Sequence, residues 1–377
     1  MSKKRLKVIY LEHVVYPHHF PIFEELAKQF DFTVYFCKAK KRFRRWDVSI
    51  PSRLSFKAEI LKGLSIGPIT INFILPFRLI LEQYDVYMVA TIDLITITQL
   101  IIMLVIAKIR RCPFILVDEF IETPWYSYTH PLKKRLNDWL RKALYKHVDA
   151  FVALNRKAAL YMSKQGVPKD KIFVGLHFYP IEWLSRATLS KDDSPFKGKK
   201  VVLTISYLLP RKGIDYLIEA FKEIKGNDII LIIAGSGKYE AKLRALANGD
   251  PRIKFVGYVE GEDKTKYYRW ADIFVLPTLW DPWGLVVNEA MYFGLPIIVT
   301  DAAGCSDHLV KDNGFVVQAG DKEALKEALV RLLNDEELRK KMGEKSKEII
   351  KECDIYAMIR PIVEAVEYVI TKNKYIK

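Results

Sequence analysis

The stretch from Thr278 to Pro296 constrains the fold more than any other part of the chain. An apolar strand, 272–277, precedes it, and a second apolar strand, 296–301, follows it. Between them Asp281 stands in a turn, an apolar segment continues at helical spacing, and Gly294 ends that segment. This order of strand, loop, helix and strand predicts a parallel α/β unit whose loop opens at the carboxyl end of a strand, where such sheets bind ligands.

The loop and the helix start in this stretch offer hydrogen-bonding groups to a polar ligand. Gly284 lets the backbone approach a ligand closely, and the amides of Gly284, Leu285 and Val286 can bind an anion or the polar face of a sugar. Asp281 and Glu289, with seven residues between them, can accept bonds from hydroxyl groups. The alternative is a helix capped by Asp281 with Glu289 on a solvated face, and the surrounding pattern favours the ligand site.

The pattern resembles the Glu-x7-Glu signature of the retaining family 4 glycosyltransferases of GT-B fold, with Asp281 in place of the first Glu. The resemblance implies that Asp281 touches the donor sugar and that Glu289 holds the ribose of its nucleotide. It also implies an α/β fold of two Rossmann-like doubly wound domains facing a cleft. The expected activity is that of a retaining hexosyltransferase, which moves a sugar from a UDP-, GDP- or ADP-sugar to an acceptor hydroxyl.

Composition agrees with a two-domain globular protein. The chain has 377 residues, of which 50% are hydrophobic and 12% aromatic. Its net charge of +15 favours a polyanionic partner, which could be nucleic acid, an anionic membrane surface or a phosphorylated substrate. The four cysteines are far apart and lack metal-ligand spacing, so we expect reduced thiols, neither a disulfide nor a zinc site, and a cytoplasmic protein.

Strands and helices alternate along both halves of the chain. We predict a first domain over 1–180, a linker over 181–200 rich in Lys, Asp and Ser, and a second domain over 201–353. The resemblance implies that the helix within 354–377 crosses back onto the first domain. Asp354 and Pro361 are plausible breaks for that crossing.

The first domain carries the candidate acceptor residues. The loop after its first strand has no Gly-rich fingerprint, which argues against a dinucleotide-binding dehydrogenase. The resemblance implies that this loop touches the acceptor, through His18 or His19, although a surface turn residue is the commoner outcome for either. The family often has a histidine or an acid near the donor sugar at the end of the strand 113–117, and Asp118 and Glu119 are the candidates here.

Basic segments suggest a membrane contact for this domain. Lys38 to Trp46 holds six cations and two aromatics, and Pro131 to Lys146 forms a basic amphipathic helix whose apolar face we expect on the sheet. The apolar stretch from Leu94 to Ala107 is too short to span a bilayer and predicts a buried helix. With no signal peptide apparent, we expect peripheral attachment to the inner face of a membrane and a glycan or lipid-linked acceptor; the alternative is a solvated loop. Nucleic-acid binding rests on charge alone and is not expected.

The second domain carries the candidate phosphate site. Its first loop, 206–213, resembles the family loop in which an Arg and a later Lys clamp the donor diphosphate. Lys212 matches the Lys, but the place of the Arg falls on Tyr207 or, with one residue of slack, on Ser206, and neither is basic. Arg211 is the candidate to supply the lost charge. A lysine that stabilises the leaving diphosphate makes no metal obligatory, and no Asp-x-Asp metal motif is present.

A second glycine turn follows the strand 229–234. Gly235 and Gly237 lie where nucleotide contacts are expected, although Gly-x-Gly alone is weak evidence. Two other functions remain open: a nucleotide-sugar epimerase of the same fold, and a non-catalytic protein that binds sugar nucleotides. The missing Arg favours the second of these.

Overall fold

The structure is a computed structural model, and it describes residues 5–39, 49–66, 69–91, 96–184 and 191–372. Contacts divide the chain into two compact units. Unit 1 comprises Met1–Phe120, Leu132–Phe178 and Ile355–Lys377, and unit 2 comprises Ile121–Pro131 and Tyr179–Asp354. This division differs from the predicted one, because a short segment of the first half belongs to unit 2 and the predicted linker is also part of unit 2.

Fifteen strands are present in the described ranges. They are β1 (Lys7–Val14), β2 (Asp31–Lys38), β3 (Lys57–Ile60), β4 (Leu64–Ile66), β5 (Ile69–Ile71), β6 (Val86–Ala90), β7 (Phe114–Asp118), β8 (Ala150–Ala153), β9 (Ile172–Val174), β10 (Lys200–Ile205), β11 (Ile229–Ala234), β12 (Ile253–Gly257), β13 (Ile273–Leu276), β14 (Ile297–Thr300) and β15 (Gly314–Val317).

The same ranges hold fourteen α-helices, besides several short 3₁₀ turns. They are α1 (Phe20–Gln29), α2 (Ile74–Leu81), α3 (Ile97–Ile109), α4 (Pro124–Thr129), α5 (Pro131–Tyr145), α6 (Arg156–Lys164), α7 (Ile214–Glu223), α8 (Glu240–Ala247), α9 (Gly261–Trp270), α10 (Leu285–Tyr292), α11 (Ser306–Leu309), α12 (Lys322–Asn334), α13 (Glu336–Ile349) and α14 (Ile355–Lys372). No helix of the described residues is long and apolar enough to cross a membrane.

Unit 1 is built on a seven-stranded parallel sheet in the order β3-β2-β1-β6-β7-β8-β9, and it also contains the short antiparallel pair of strands β4 and β5. The strands are apolar on both faces because both faces are covered. Residues of α1 and α14 share one core cluster with one face of the sheet. Residues of α2, α3, α5 and α6 share a second cluster with the other face.

Unit 2 is built on a six-stranded parallel sheet in the order β12-β11-β10-β13-β14-β15. Apolar residues of α7, α8 and α12 pack on one of its faces. From β10 the chain adds β11 and β12 on one side and then β13 to β15 on the other, so the strand order reverses between β10 and β13. The predicted α/β class with two parallel sheets is confirmed.

The last helix, α14, packs into the core of unit 1, and Pro361 lies inside it. The proposed break at Pro361 is therefore wrong. Proline has no N–H, which leaves the carbonyl of Ala357 without its usual helical donor. The backbone N–H of Leu176 donates to that carbonyl instead, at 3.2 Å, so the helix continues without an unsatisfied acceptor.

Helix α3 is only partly buried, in contrast to the prediction of a buried helix. Met103, Leu104 and Ala107 face the core, whereas Ile101 and Val105 are exposed on the opposite side. The apolar sequence alone could not show this, because a helix that is apolar all round gives no sign of which face is covered.

Helix α5 packs through a different face from the predicted one. The amphipathic pattern of 131–146 places Leu132, Leu136 and Trp139 on the face predicted to pack on the sheet, but these residues are exposed, and Arg141 and Leu144 are buried instead. The buried Arg141 forms an ion pair with Asp118, described below. The other basic segment, Lys38 to Trp46, lies mostly outside the described residues.

Candidate active site

The candidate site in unit 2 lies where the strand order reverses. The loop after β10 carries Lys212, and the loop after β13 carries Asp281. Because β10 and β13 are neighbouring parallel strands, their carboxyl ends bring these two loops together, which is the usual ligand position in open α/β sheets.

Lys212 and Asp281 form an ion pair between Nζ and Oδ2. Burial lowers the pKa of Lys212, the nearby charge of Arg211 lowers it further, and Asp281 opposes both effects. Asp281 does not cap the following helix, since Gly284 is the N-cap residue and no side chain caps it. The structure thus excludes the interpretation of Asp281 as a helix cap.

Arg211 holds the backbone of the Asp281 loop. Its carbonyl accepts bonds from Thr278 Oγ1 at 3.0 Å and from the N–H of Leu279 at 2.8 Å. Its guanidinium donates to the carbonyl of Trp280 at 2.8 Å and lies 5.3 Å from the centre of that ring. These contacts give Arg211 a positioning role in the loop that sequence reasoning did not foresee.

The turn after Asp281 needs a glycine. Gly284 has a φ of +102°, and a Cβ there would lie 2.7 Å from Leu276 Cδ2. The peptide groups of Asp281 are fixed by the neighbouring loop, because its N–H donates to Ala302 and its carbonyl accepts from Gly304. Helix α10 begins at once with Leu285 and Val286.

Glu289 lies on α10 and is only 2% exposed, so the interpretation of a solvated face is also excluded. Its Oε2 accepts a bond from the hydroxyl of Tyr268 at 2.6 Å and forms an ion pair with Lys264. Burial raises the pKa of Tyr179, and the charge of Glu289 raises it further. The carboxylate therefore already binds hydroxyl and cationic groups, which is the chemistry predicted for it.

Gly235 and Gly237 allow two loops to pack closely. A Cβ at Gly235 would lie 1.8 Å from the carbonyl oxygen of Ser206, and one at Gly237 would lie 2.2 Å from that of Leu208. Leu208 also donates its N–H to Ser236 at 3.1 Å. Packing alone thus accounts for both glycines. The same packing places Tyr207, which lies between Ser206 and Leu208 in the chain, in this pair of loops.

In unit 1 the two predicted histidines lie on a 3₁₀ turn after β1. Nδ1 of His19 is 3.2 Å from Oε2 of Glu12, and the ring of His18 packs edge-on against that of His19. Nδ1 of His13 is 2.7 Å from Oε1 of Glu12. Burial alone would raise the pKa of Glu12, but the hydrogen bonds to His13 and His19 bring it well below its ordinary value.

Glu12 and His13 were missed as candidate site residues because they were assigned to a loop. They lie in β1, which extends to Val14, whereas the sequence predicts a first strand over 7–11, and Glu12 is buried. The signal that could have revealed them is a Glu-His pair that directly continues a buried apolar strand.

Asp118 and Glu119 differ in their surroundings. Asp118 is buried and pairs with Arg141, and it also accepts a bond from Thr91 Oγ1 at 3.1 Å. These contacts favour a structural role over the predicted catalytic one. Glu119 is partly exposed, and its Oε2 lies 2.9 Å from Nε2 of His177.

Residues 185–349 match the model of the family described as glycosyl transferases group 1. The matched range lies within unit 2, the unit that contains Lys212, Asp281 and Glu289.

Curated relatives agree with this match. A GDP-mannose-dependent monoacylated alpha-(1-6)-phosphatidylinositol monomannoside mannosyltransferase of Corynebacterium glutamicum is 35% identical over 153 residues, 38% of this chain and 40% of the relative. A phosphatidyl-myo-inositol mannosyltransferase of Mycobacterium leprae is 31% identical over 189 residues, 48% of this chain and 50% of the relative. The chain thus spans half or less of the length of these relatives.

Solved structures agree over nearly the whole chain. HepE of Anabaena, in complex with UDP-glucose, has a TM-score of 0.74 at 18% identity, covering 96% of this chain and 100% of that one. Sucrose-phosphate synthase of Thermosynechococcus elongatus has a TM-score of 0.73 at 17% identity, covering 97% and 99%. The fold is that of the GT-B glycosyltransferases. The match of residues 185–349 to the glycosyl transferases group 1 model, together with this fold, confirms the resemblance to GT-B glycosyltransferases seen in the motifs.

Proposed function

We propose that this protein is a retaining hexosyltransferase that moves a sugar from a nucleoside diphosphate sugar to the hydroxyl of an acceptor. The observation that carries the proposal is the ion pair of Lys212 and Asp281 at the reversal of the strand order, inside a group 1 domain. The epimerase and the non-catalytic binding protein are not favoured, since the family match names transferases.

In this proposal the donor separates the ion pair. The diphosphate binds Lys212, which lies at the end of a strand-to-helix loop, and the sugar hydroxyls donate hydrogen bonds to Asp281. Lys212 then stabilises the charge that grows on the leaving diphosphate, which is the term that most lowers the barrier of such reactions. Because a lysine side chain supplies this stabilising positive charge, the proposal includes no obligatory metal.

The remaining donor contacts follow from the same geometry. The ribose hydroxyls would replace Tyr268 and Lys264 on Glu289. The amides at the start of α10, at Leu285 and Val286, would face the sugar. Arg211 acts mainly by holding the Asp281 loop. His18, His19 and Glu119 remain candidates on the acceptor side.

Two finer points are also proposals. The nucleotide base is open between guanine and uracil, because one relative is named as GDP-mannose-dependent and HepE was solved with UDP-glucose. A lipid-linked acceptor is supported by two relatives whose names contain a phosphatidylinositol. In our proposal the protein reaches it from the cytoplasmic side of a membrane.

The test is calorimetric binding of UDP, GDP and ADP to the full chain in the presence of a chelator. We expect binding of at least one of the three, followed by transfer of the matching hexose to an acceptor alcohol, with the anomeric configuration of the product read by nuclear magnetic resonance. Binding of none of the three would overturn the proposal. Binding that requires an added divalent metal would overturn its metal-independent form.

A further inference from the structure

The net positive charge of the chain is confined to one unit. Unit 1 carries 33 Lys and Arg against 16 Asp and Glu, a formal charge of +17, whereas unit 2 carries 27 against 29, a formal charge of −2. The proposed donor site lies in unit 2, so a phosphorylated donor does not account for the charge of unit 1. That charge calls for a separate anionic partner.

One helical layer of unit 1, formed by α2, α3 and α5, also exposes apolar side chains in rows along its helices. On α2 and its N-cap they are Phe73, Phe77, Ile80 and Leu81: Phe77 follows Phe73 by four residues, and Ile80 and Leu81 follow Phe77 by three and four. Phe77 is 66% exposed. Residues with this spacing share one face of a helix, so α2 presents a continuous apolar stripe.

Helix α5 presents a second stripe, with cations beside it. Leu132, Leu136 and Trp139 follow one another at intervals of four and three, and Leu132 and Trp139 are 80% and 67% exposed. Helical spacing places Arg135 and Lys142 along one edge of this stripe, and both are exposed. An apolar stripe bordered by cations is the pattern of a helix that lies in the interface of an anionic membrane.

The acids of this region do not weaken the pattern. Asp138 is the sole acid of α5, and it accepts bonds from Lys134 at 2.7 Å and from the hydroxyl of Tyr161 at 2.6 Å. It therefore lies on the side of the helix that packs against α6. The exposed surface of α5 carries cations and apolar side chains and no acid.

The opposite helical layer of unit 1, formed by α1 and α14, differs sharply. Among the described residues of these two helices, Tyr356 is the sole large apolar side chain that is exposed. Among the described residues of unit 2, exposed large apolar side chains are few and scattered, such as Trp183, Val316 and Val330. Scattered apolar residues are ordinary on protein surfaces, whereas contiguous patches mark interaction sites.

We propose that the layer of α2, α3 and α5 docks peripherally on an anionic lipid bilayer. Both features of the layer fit this partner, because apolar stripes enter the acyl boundary while flanking cations meet the headgroups. A second copy of the chain fits poorly, since a two-fold interface would place the cations of α5 opposite those of its partner. The inference deepens the proposed function by naming the surface through which the protein would reach a lipid-linked acceptor.

The test is flotation of the full chain with vesicles, which needs neither donor nor acceptor. The vesicles contain phosphatidylcholine alone, or phosphatidylcholine with about one third phosphatidylglycerol. We expect binding to the anionic vesicles at about 0.1 M salt and a clear loss at about 0.5 M salt, because salt screens the headgroup attraction. Equal binding to both kinds of vesicle, or to neither, would overturn the proposal.

Paired variants locate the surface. We expect the double variant Phe77→Glu and Trp139→Glu to lower partitioning at least about tenfold, because each aromatic then no longer enters the bilayer. The matched controls are Tyr356→Glu on α14 and Val330→Glu on α12, which should leave partitioning unchanged. Thermal unfolding and UDP or GDP binding show that each variant is folded, and they separate this inference from the donor site.

Light scattering without lipid tests whether a second copy of the chain, rather than a membrane, covers this surface. We expect the parent to keep the same mass as the Trp139→Glu variant. A dimer of the parent that this variant dissociates would overturn the membrane proposal and assign the surface to a second copy of the chain.

Discussion

Both units bury an ion pair near the carboxyl end of a central strand, but the two pairs have different surroundings. In unit 1 the side chains of Arg141 and Asp118 are 2% and 1% exposed, and in unit 2 those of Lys212 and Asp281 are 9% and 13% exposed. Further protein groups surround the first pair: the hydroxyl of Tyr145 lies 3.1 Å from Arg141 Nη1, and the ring of Phe120 lies 4.4 Å from its guanidinium carbon.

The two cations are perturbed in opposite directions. Burial alone would lower the pKa of Arg141, but Asp118 and Tyr145 raise it above its ordinary value. Burial lowers the pKa of Lys212, and Asp281 does not restore it. An ion pair in which the neighbouring groups stabilise the charge of the cation contributes to the stability of the fold. A pair that leaves its cation poorly compensated is suited to exchange its partner for a ligand.

The largest effect should come from breaking the pair in unit 1. Arg141→Met leaves the carboxylate of Asp118 buried without its cation, and we expect a loss of about 3–5 kcal/mol in the free energy of unfolding. Urea denaturation measures it, with the exposed neighbour Lys142→Met as the control. A loss below about 1 kcal/mol would contradict the structural role of the pair.

If Arg141→Met does not fold, the double variant with Asp118→Asn keeps the comparison testable. Removing both charges costs less than removing one, because no unpaired charge remains in the core. We therefore expect the double variant to be more stable than Arg141→Met alone.

Breaking the pair in unit 2 should act on turnover instead. Lys212→Met removes the charge that we assign to the leaving diphosphate, and we expect kcat to fall about 10²–10³-fold. Stability should change little, because Asp281 stays partly exposed to water. The control is Lys225→Met, an exposed lysine of the same unit. Unchanged turnover with reduced stability would make this pair structural as well.

The next effect concerns the second acid of the site. Glu289→Gln keeps the volume of the side chain and an acceptor for Tyr268, but it removes the charge that we assign to the ribose hydroxyls. Hydrogen bonds to a charged group contribute about 1.5–3 kcal/mol each, so nucleotide binding should weaken by roughly tenfold or more. Calorimetry measures it, and Glu262→Gln on the exposed first turn of α9 is the control. Equal affinity in Glu289→Gln and the parent would refute the assignment.

The sequence predicted the elements of both sheets better than the faces of the helices. The apolar strands and the Thr278 to Pro296 stretch were predictable, because period and turn residues are local signals. The packing of α5 was not, because the contact between Arg141 and Asp118 is non-local and overrides the apolar stripe. Residues 57–81 gave no prediction, since their strands have only three or four residues each.

The candidate site was predictable to a similar extent. Lys212, Asp281 and Glu289 follow from motifs, and their loops meet as parallel strands require. The contacts of Glu289 with Lys264 and Tyr268 were not predictable, because they join two helices whose relative position no local pattern encodes. The role of Arg211 in holding Trp280 was hidden for the same reason.

The smallest effect separates the two pairs by pH. Because the pKa of Lys212 is lower in the folded state than in the unfolded one, the unfolded state binds the extra proton between the folded pKa and about 10.4. In that window the stability of the parent rises with pH, relative to Lys212→Met, by at most about 1.4 kcal/mol per pH unit. The pKa of Arg141 is raised in the folded state, so there is no such window at pH values below its ordinary pKa. The difference in the free energy of unfolding between the parent and Arg141→Met should therefore not change with pH in this range. Urea denaturation of the three proteins between about pH 7 and pH 10 measures the difference in the free energy of unfolding between the parent and each variant. A parent whose stability relative to Lys212→Met falls as the pH rises would mean that Asp281 outweighs burial, and the two pairs would then be of one kind.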